Sequence, residues 1–317
     1  MKKHKVVIIG GGTGLSLMLR GIKQIENIEL SAIVTVADDG GSTGRLRRQF
    51  HIPAMGDIRN VMCALAEDES AFGELMNFRF EGDELDVGGH SLGNLILTAM
   101  TQYHGSFMEA IKTISKFLKV KGHIIPSSLE VLTLMAIMED GTIVRGESNI
   151  PKHTNRIMKV YYDVETHATK EALQAIKEAD LIVYGIGSLY TSIIPNLIIS
   201  GIKEALQASK AKKIYFCNAM TQPGETDYFT LEDHVQAIID HSYEHAVDIV
   251  VTHTNYINGF FKEKYGKLGS EEVISNKQQH DYVINYRDVL RFEDDLSRHD
   301  SNKIKQCIIE IINRELG

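Results

Sequence analysis

Three cysteines in 317 residues, Cys63, Cys217 and Cys307, are too few and too far apart for a disulfide frame or a zinc knuckle. Each stands among apolar neighbours, as buried thiols in a reducing compartment do. Only five prolines occur, and no Pro-rich or low-complexity hinge divides the chain. No run of 18 apolar residues is present, which excludes a membrane-spanning helix from the expectation. The start, MKKHKVVIIGGG, gives only four clearly apolar residues before the glycines, too short for the apolar region of a secretory signal. Net charge is −8 and no block of like charge exceeds three residues, so no basic tract would follow a nucleic-acid backbone. The expectation is a cytoplasmic protein without nucleic acid or membrane as partner.

What is present is the make-up of an ordinary globular chain, 43% hydrophobic and 24% charged. Apolar runs alternate with helical patterns, the mark of a parallel sheet covered by helices on both faces. Strands are expected at 5–9, 30–36, 180–185, 213–218 and 248–253, each followed closely by Gly, Ser, Thr, Asn or Asp. Helical segments fill 56–68, 70–78, 89–103 and 106–118; residues 130–148 read as a hairpin turning at Asp140-Gly141, and 156–164 as a further strand. The fold class is therefore α/β with a mostly parallel sheet, one domain over 1–317, with a helical and hairpin insertion over roughly 54–165. Residues 256–294 carry the weakest pattern.

The polar segments at strand exits carry the chemistry. Gly10-Gly11-Gly12-Thr13-Gly14 joins a strand to an apolar-periodic helix, the context a phosphate-cradling loop requires, although neither G-x-G-x-x-G nor a Gly-Lys-Ser/Thr P-loop is met. Asp38 and Asp39 follow the second strand, where an acid can reach a ribose hydroxyl or where paired carboxylates can hold Mg²⁺. Ser42 or Thr43 reads equally as the cap of a helix starting near Gly44, with Arg45, Arg47 and Arg48 beyond it. GDIRN places Asp57 and Asn60 one turn apart, and GGHSLGN presents His90, Ser91 and Asn94 at another helix start. Gly187, Ser188, Tyr190, Thr191 and Ser192 supply backbone amides and hydroxyls suited to a phosphate or sugar. Asn218, Thr221 and Gln222 supply groups suited to a base edge or sugar. HSYEH (241–245) matches the zinc pattern H-x-x-E-H, but the acids around it read as a solvated face, and zinc hydrolysis is disfavoured.

Six of these segments in order, VVIIGGGTGLS, VADDGGSTGRLR, GDIRN, GHSLGN, GSLYTSIIPNL and MTQPGETD, with LSRHD near the end, closely resemble the YvcK-type proteins called gluconeogenesis factors, in the superfamily of CofD-type phospholactate transferases. The resemblance implies a Rossmann-like three-layer α/β/α fold. It implies a cytoplasmic binder of UDP-sugars or NAD(P), needed for cell shape and for growth on gluconeogenic carbon sources. By motif, Gly12 to Gly14, Asp38, Asp39, Asn94, Ser188 to Ser192, Asn218 and Gln222 would line the nucleotide site. The alternative it implies is an Mg²⁺-dependent transferase moving a phospho-acyl group from a nucleotide-activated donor, with Asp38 and Asp39 on the metal. A regulatory protein partner and a homodimer are compatible with either.

Overall fold

The computed structural model describes residues 3–83, 86–277, 279–293 and 296–317. The chain opens on β1 (His4–Gly10), α1 (Gly12–Ile22) and β2 (Ile28–Val34), followed by α2 (Gly41–Phe50), α3 (Gly56–Leu65), α4 (Glu69–Asn77), α5 (Leu92–His104) and α6 (Phe107–Phe117). Next come β3 (His123–Pro126), β4 (Leu134–Met138), β5 (Ile143–Arg145), β6 (Ile157–Tyr162), α7 (Lys170–Glu178), β7 (Leu181–Tyr184), α8 (Ile194–Leu197) and α9 (Ile202–Ala208). The last part holds β8 (Lys212–Phe216), α10 (Leu231–His241), β9 (Ile249–His253), α11 (Gly259–Lys267), β10 (Val283–Arg287), β11 (Leu290–Glu293), β12 (Leu296–His299) and α12 (Ser301–Glu315).

Seven strands form one sheet in the order β3-β2-β1-β7-β8-β9-β10, and every neighbouring pair is parallel. The apolar runs explain why. Along β1, Val6 and Ile8 enter a core shared with α1, α3 and α12, whereas Val7 and Ile9 enter a second core shared with α7 to α10. A strand buried on both faces must be apolar at every position, which suits a parallel sheet between helical layers. In chain order the strands run 3-2-1-4-5-6 with a seventh added, the doubly wound order, and the order reverses between β1 and β7. Ligands of such sheets bind outside the carboxyl ends of the strands at that reversal.

The hairpin at 130–148 forms as β4 and β5, with Gly141 at φ +83° and Asp140 Oδ1 accepting from the Thr142 N–H at 2.9 Å. β6 pairs antiparallel with β4 and completes a three-stranded sheet. The span 54–165 holds more than an insertion, because β3 lies inside it and extends the main sheet from Ser31↔His123 to Val34↔Pro126. Its four residues, HIIP, are too few to show a pattern. β2 ends at Val34, so Thr35 and Val36 already leave the sheet. α2 starts at Gly41 with Gly40 as its N-cap, so neither Ser42 nor Thr43 caps it; both hydroxyls are engaged elsewhere.

The HSYEH segment is not a metal pair on one helix. α10 ends at His241, and His245 lies beyond it at φ +61°. The His241 Nε2 accepts from the Val160 N–H at 3.0 Å, and its Nδ1 donates to the Ala237 carbonyl at 2.7 Å. Both ring nitrogens are spent in the core, and burial holds this imidazole neutral by lowering its pKa. Residues 256–294 contain α11, β10 and the first strand of the β11–β12 hairpin. Among the described residues no helix is long and apolar enough to cross a membrane.

Candidate functional site

At the strand-order reversal the glycine loop after β1 lies between two other loops. Gly12 sits at φ +69°, a backbone region that favours glycine. A Cβ on Gly14 would lie 2.4 Å from the Ile186 carbonyl oxygen, and one on Gly11 would lie 2.5 Å from Asp57 Oδ2. The loop after β7 and the start of α3 therefore close on the glycine loop from two sides, nearer than any side chain permits.

On one side a polar network ties α2, α3 and α5 together. The Arg59 guanidinium, on α3 and buried, donates to Ser91 Oγ at 2.5 Å, to Asn94 Oδ1 at 3.2 Å and to Asn60 Oδ1 at 2.7 Å. Asn94 Nδ2 donates onward to Ser42 Oγ at 3.1 Å and Thr43 Oγ1 at 3.5 Å, and Ser42 Oγ shares a 2.8 Å hydrogen bond with His90 Nδ1. Thr43 in turn bonds Asp38, whose Oδ1 accepts the Gly40 N–H at 2.9 Å, and Asp57 accepts the Gly12 N–H. Six expected site residues, Asp38, Ser42, Thr43, Asp57, Asn60 and Asn94, thus share one network; Asp57 joins it through Asn60 and ends it at the glycine loop.

On the other side the exit of β7 runs through a π turn over Leu189–Ile193, a geometry often found at functional sites. Glu225, only 3% exposed, accepts from the Tyr190 N–H at 3.2 Å, from Thr191 Oγ1 at 2.9 Å and from Gln222 Nε2 at 2.9 Å. Asn218 Nδ2 donates to the Gly187 carbonyl at 2.9 Å. The exits of β7 and β8 are thereby locked to each other. Ser192 borders the glycine loop: a Cβ on Gly12 would lie 3.5 Å from its Oγ.

Carboxylates gather here. Burial raises the Asp38 carboxyl above its ordinary range. Burial first, and the Asp38 charge second, push Asp57 up to about 6. Glu147, on the segment after β5, rises to about 8 through burial and then the charges of Asp38, Asp57 and Asp39. Burial takes Glu225 to about 7. Asp39 Oδ1 accepts the Ser148 N–H at 2.9 Å, which binds this acid to the small sheet. Among the described residues no three His, Cys, Asp or Glu side chains stand as a metal-ligating group. Asp38 bonds the Gly40 amide and the Thr43 hydroxyl and Asp39 Oδ1 the Ser148 amide, so a cation held here would be shared between these two carboxylates and a ligand's phosphate.

One consequence is measurable on stability. Asp57→Asn is expected to raise the unfolding free energy at pH 8 by about 1–3 kcal/mol, because the ionised native carboxylate is disfavoured relative to the unfolded chain. The folded group holds its proton up to about 6 whereas its ordinary value is 3.8, so the native penalty is complete above 6 and fades as pH falls toward 3.8. Urea unfolding of both proteins at pH 8 and pH 4 checks this; an advantage for the variant that persists unchanged at pH 4 refutes the assignment.

Not every expected residue faces the site. Tyr190 is 3% exposed, its ring edge-on to Phe229 and His241 at 6.2 and 5.7 Å, so its hydroxyl belongs to the core. Thr13, by contrast, is exposed on the first turn of α1, within the glycine loop itself. Arg47 turns inward, donating to the Ala37 carbonyl at 3.2 Å, the Asp38 carbonyl at 2.8 Å and the Leu132 carbonyl. Sequence reasoning missed the parts of Arg59, Glu147 and Glu225; an arginine on the buried face of α3 and an acid inside TQPGETD were the available signals.

The site also lacks a prepared nucleophile among the described residues. All three thiols are buried, with burial raising Cys63 and taking Cys217 and Cys307 to about 12. The Ser42–His90 pair resembles the start of a triad, but burial first, and then the charges of Arg45 and Arg79, oppose protonation of the imidazole.

Comparison with known proteins agrees with the geometry. Residues 6–290 match the family described as 2-phospho-L-lactate transferase CofD. A gluconeogenesis factor from Halalkalibacterium halodurans is 47% identical over 314 residues, covering 98% of this chain and 97% of the relative. The gluconeogenesis factor of Bacillus subtilis is 42% identical over 315 residues, covering 98% and 99%. The X-ray crystal structure of a protein from Bacillus halodurans superposes with a TM-score of 0.93 at 46% identity, covering 97% of this chain and all of that one. With full-length likeness in sequence and in fold, the chain belongs to the CofD family and, within it, to the gluconeogenesis factors.

Proposed function

We propose that this protein is a cytoplasmic binder of a nucleotide-activated sugar, a UDP-sugar or else NAD(P), and that the bound state regulates carbon flow toward cell shape during gluconeogenic growth. The observation that carries the reading is the meeting of two rigid polar networks at the glycine loop. The first-turn backbone amides of α1, which the N-cap residue Gly11 leaves uncapped, suit a diphosphate. Asn218, Gln222 and the hydroxyls of Ser188 and Ser192 suit a sugar or base, while buried Asn94 and Thr43 brace the wall behind them. The site's buried thiols and untriggered Ser42 favour holding a nucleotide over breaking one.

Isothermal calorimetry with purified protein is expected to give saturable heat with a UDP-sugar. At 100 times its dissociation constant the ligand adds about 2.7 kcal/mol of stability, visible as a rise in Tm. No heat and no competition with any UDP-sugar or dinucleotide would end this reading.

The clustered carboxylates favour a second reading, a transferase in which Asp38 and Asp39 would hold Mg²⁺ and the metal would supply charge to the diphosphate link as it breaks, the nucleoside monophosphate leaving. Turnover of a nucleotide-activated donor that disappears in Asp39→Asn decides for it. A nucleotide recovered unchanged after incubation with Mg²⁺ decides for the sensor.

A further inference from the structure

The two edges of the main sheet are finished differently. β3 is four residues long and ends in Pro126, the kind of short, proline-bearing edge that discourages further pairing. β10 carries neither Pro nor Lys, and Val283 and Tyr286 are each 53% exposed. It pairs with β9 on one side only, and among the described residues no strand lies on the other.

The ladder fixes which groups are free. The Val283 N–H donates to the Asp248 carbonyl at 3.0 Å, and the Arg287 carbonyl accepts from the Thr254 N–H at 2.9 Å. Odd-numbered residues therefore spend their backbone groups on β9, and the N–H and C=O groups of Tyr282, Ile284 and Tyr286 point to the open edge.

We propose that this edge pairs with the same edge of a second copy of the chain, antiparallel, about a two-fold axis through Ile284. The sequence D-Y-V-I-N-Y-R over 281–287 is self-complementary in that register. Ile284 meets Ile284 of the second copy, Tyr282 meets Tyr286, and Asp281 meets Arg287 with opposite charge. All three outward-pointing residues then fall in hydrogen-bonded pairs, which is what a two-fold antiparallel ladder requires. A shift by one residue would present groups that β9 already uses. A register shift by two residues moves the axis to Val283 or Asn285 and pairs only two of the three outward residues with each other, and larger shifts pair fewer. α12 shares a cleft with Val283, Asn285 and Arg287, so pairing also brings its surface toward the second copy and enlarges the contact beyond the strands.

Sedimentation equilibrium over ~1–100 μM chain is expected to show twice the 35.5 kDa monomer mass. Ile284→Pro removes the central outward N–H without touching the β9 ladder and is expected to weaken association by more than ~100-fold. Because that variant could fold poorly, the double variant Val283→Cys, Asn285→Cys gives an independent readout: these positions face each other between copies as non-hydrogen-bonded pairs, so mild oxidation is expected to cross-link two chains, the three native thiols being buried. A chain that stays monomeric throughout the range, a dimer that Ile284→Pro leaves intact, or a Val283→Cys, Asn285→Cys protein that does not cross-link overturns the proposal. A mixed complex formed only with another protein's strand does the same.

Discussion

Arg47→Ala is expected to lower the unfolding free energy by about 3–5 kcal/mol, among the largest single effects in this chain. The side chain is 5% exposed, and its guanidinium holds the Ala37, Asp38 and Leu132 carbonyls. Truncation leaves those acceptors buried without a donor and opens a cavity under the exit of β2. Burial lowers the pKa of Arg47 and the neighbouring Asp39 and Asp38 charges support its cationic form, so their balance shifts as well. Arg47→Lys should recover little, because one ammonium cannot reproduce a planar fork reaching three carbonyls. Urea unfolding at pH 7 measures the effect; a loss under ~1 kcal/mol would show that water replaces the guanidinium without cost.

Gly14→Val is the second large effect, and it joins stability to binding. The new Cβ would meet Ile186 O at 2.4 Å, the Ile186 carbonyl carbon at 2.7 Å and the Gly187 nitrogen at 3.1 Å, all backbone atoms that cannot swing aside. Separating α1 from the β7 exit is expected to cost about 2–4 kcal/mol and to abolish the proposed nucleotide binding, since both walls of the candidate site move. Gly259→Ala is the matched control: nothing lies within 4 Å of its Cβ position, at the first turn of α11. It should change stability by no more than ~0.5 kcal/mol and leave binding intact. Calorimetry on the three proteins decides, and unimpaired binding in Gly14→Val would remove the glycine loop from the site.

The local parts of this molecule were legible because they depend on local chemistry. β1, β2, β7, β8 and β9 announce themselves as apolar runs, since strands buried on both faces have no polar positions to blur them. The hairpin at Asp140-Gly141 is equally local, a turn type set by two residues. β3 and β10 are short or mixed in polarity, so nothing along the chain distinguishes them from loop, and they become strands only because a neighbour offers a ladder.

The site divides in the same way. That the polar strand exits would converge follows from the alternation of strands and helices, which sends every such exit to one edge of the sheet. Which side chains face inward does not follow. Arg47 reads as one of three surface arginines until Leu132, 85 residues away, supplies a carbonyl for it. Tyr190 reads as a fourth hydroxyl until Phe229 and His241 close around its ring. Glu225 acquires its high pKa only when other elements bury it, and Glu147 only when they bury it near Asp38, Asp57 and Asp39.

By itself, then, the sequence determined the family, the parallel α/β architecture and the loops that make up the candidate site, because hydrophobic patterning and glycine at tight turns act over a few residues. The tertiary structure alone decided the two networks that meet at the glycine loop, the crowding of carboxylates behind it and the open, self-complementary edge of β10. Those properties depend on burial and on partners brought from distant segments, and desolvation is a quantity that exists only once the chain has closed on itself.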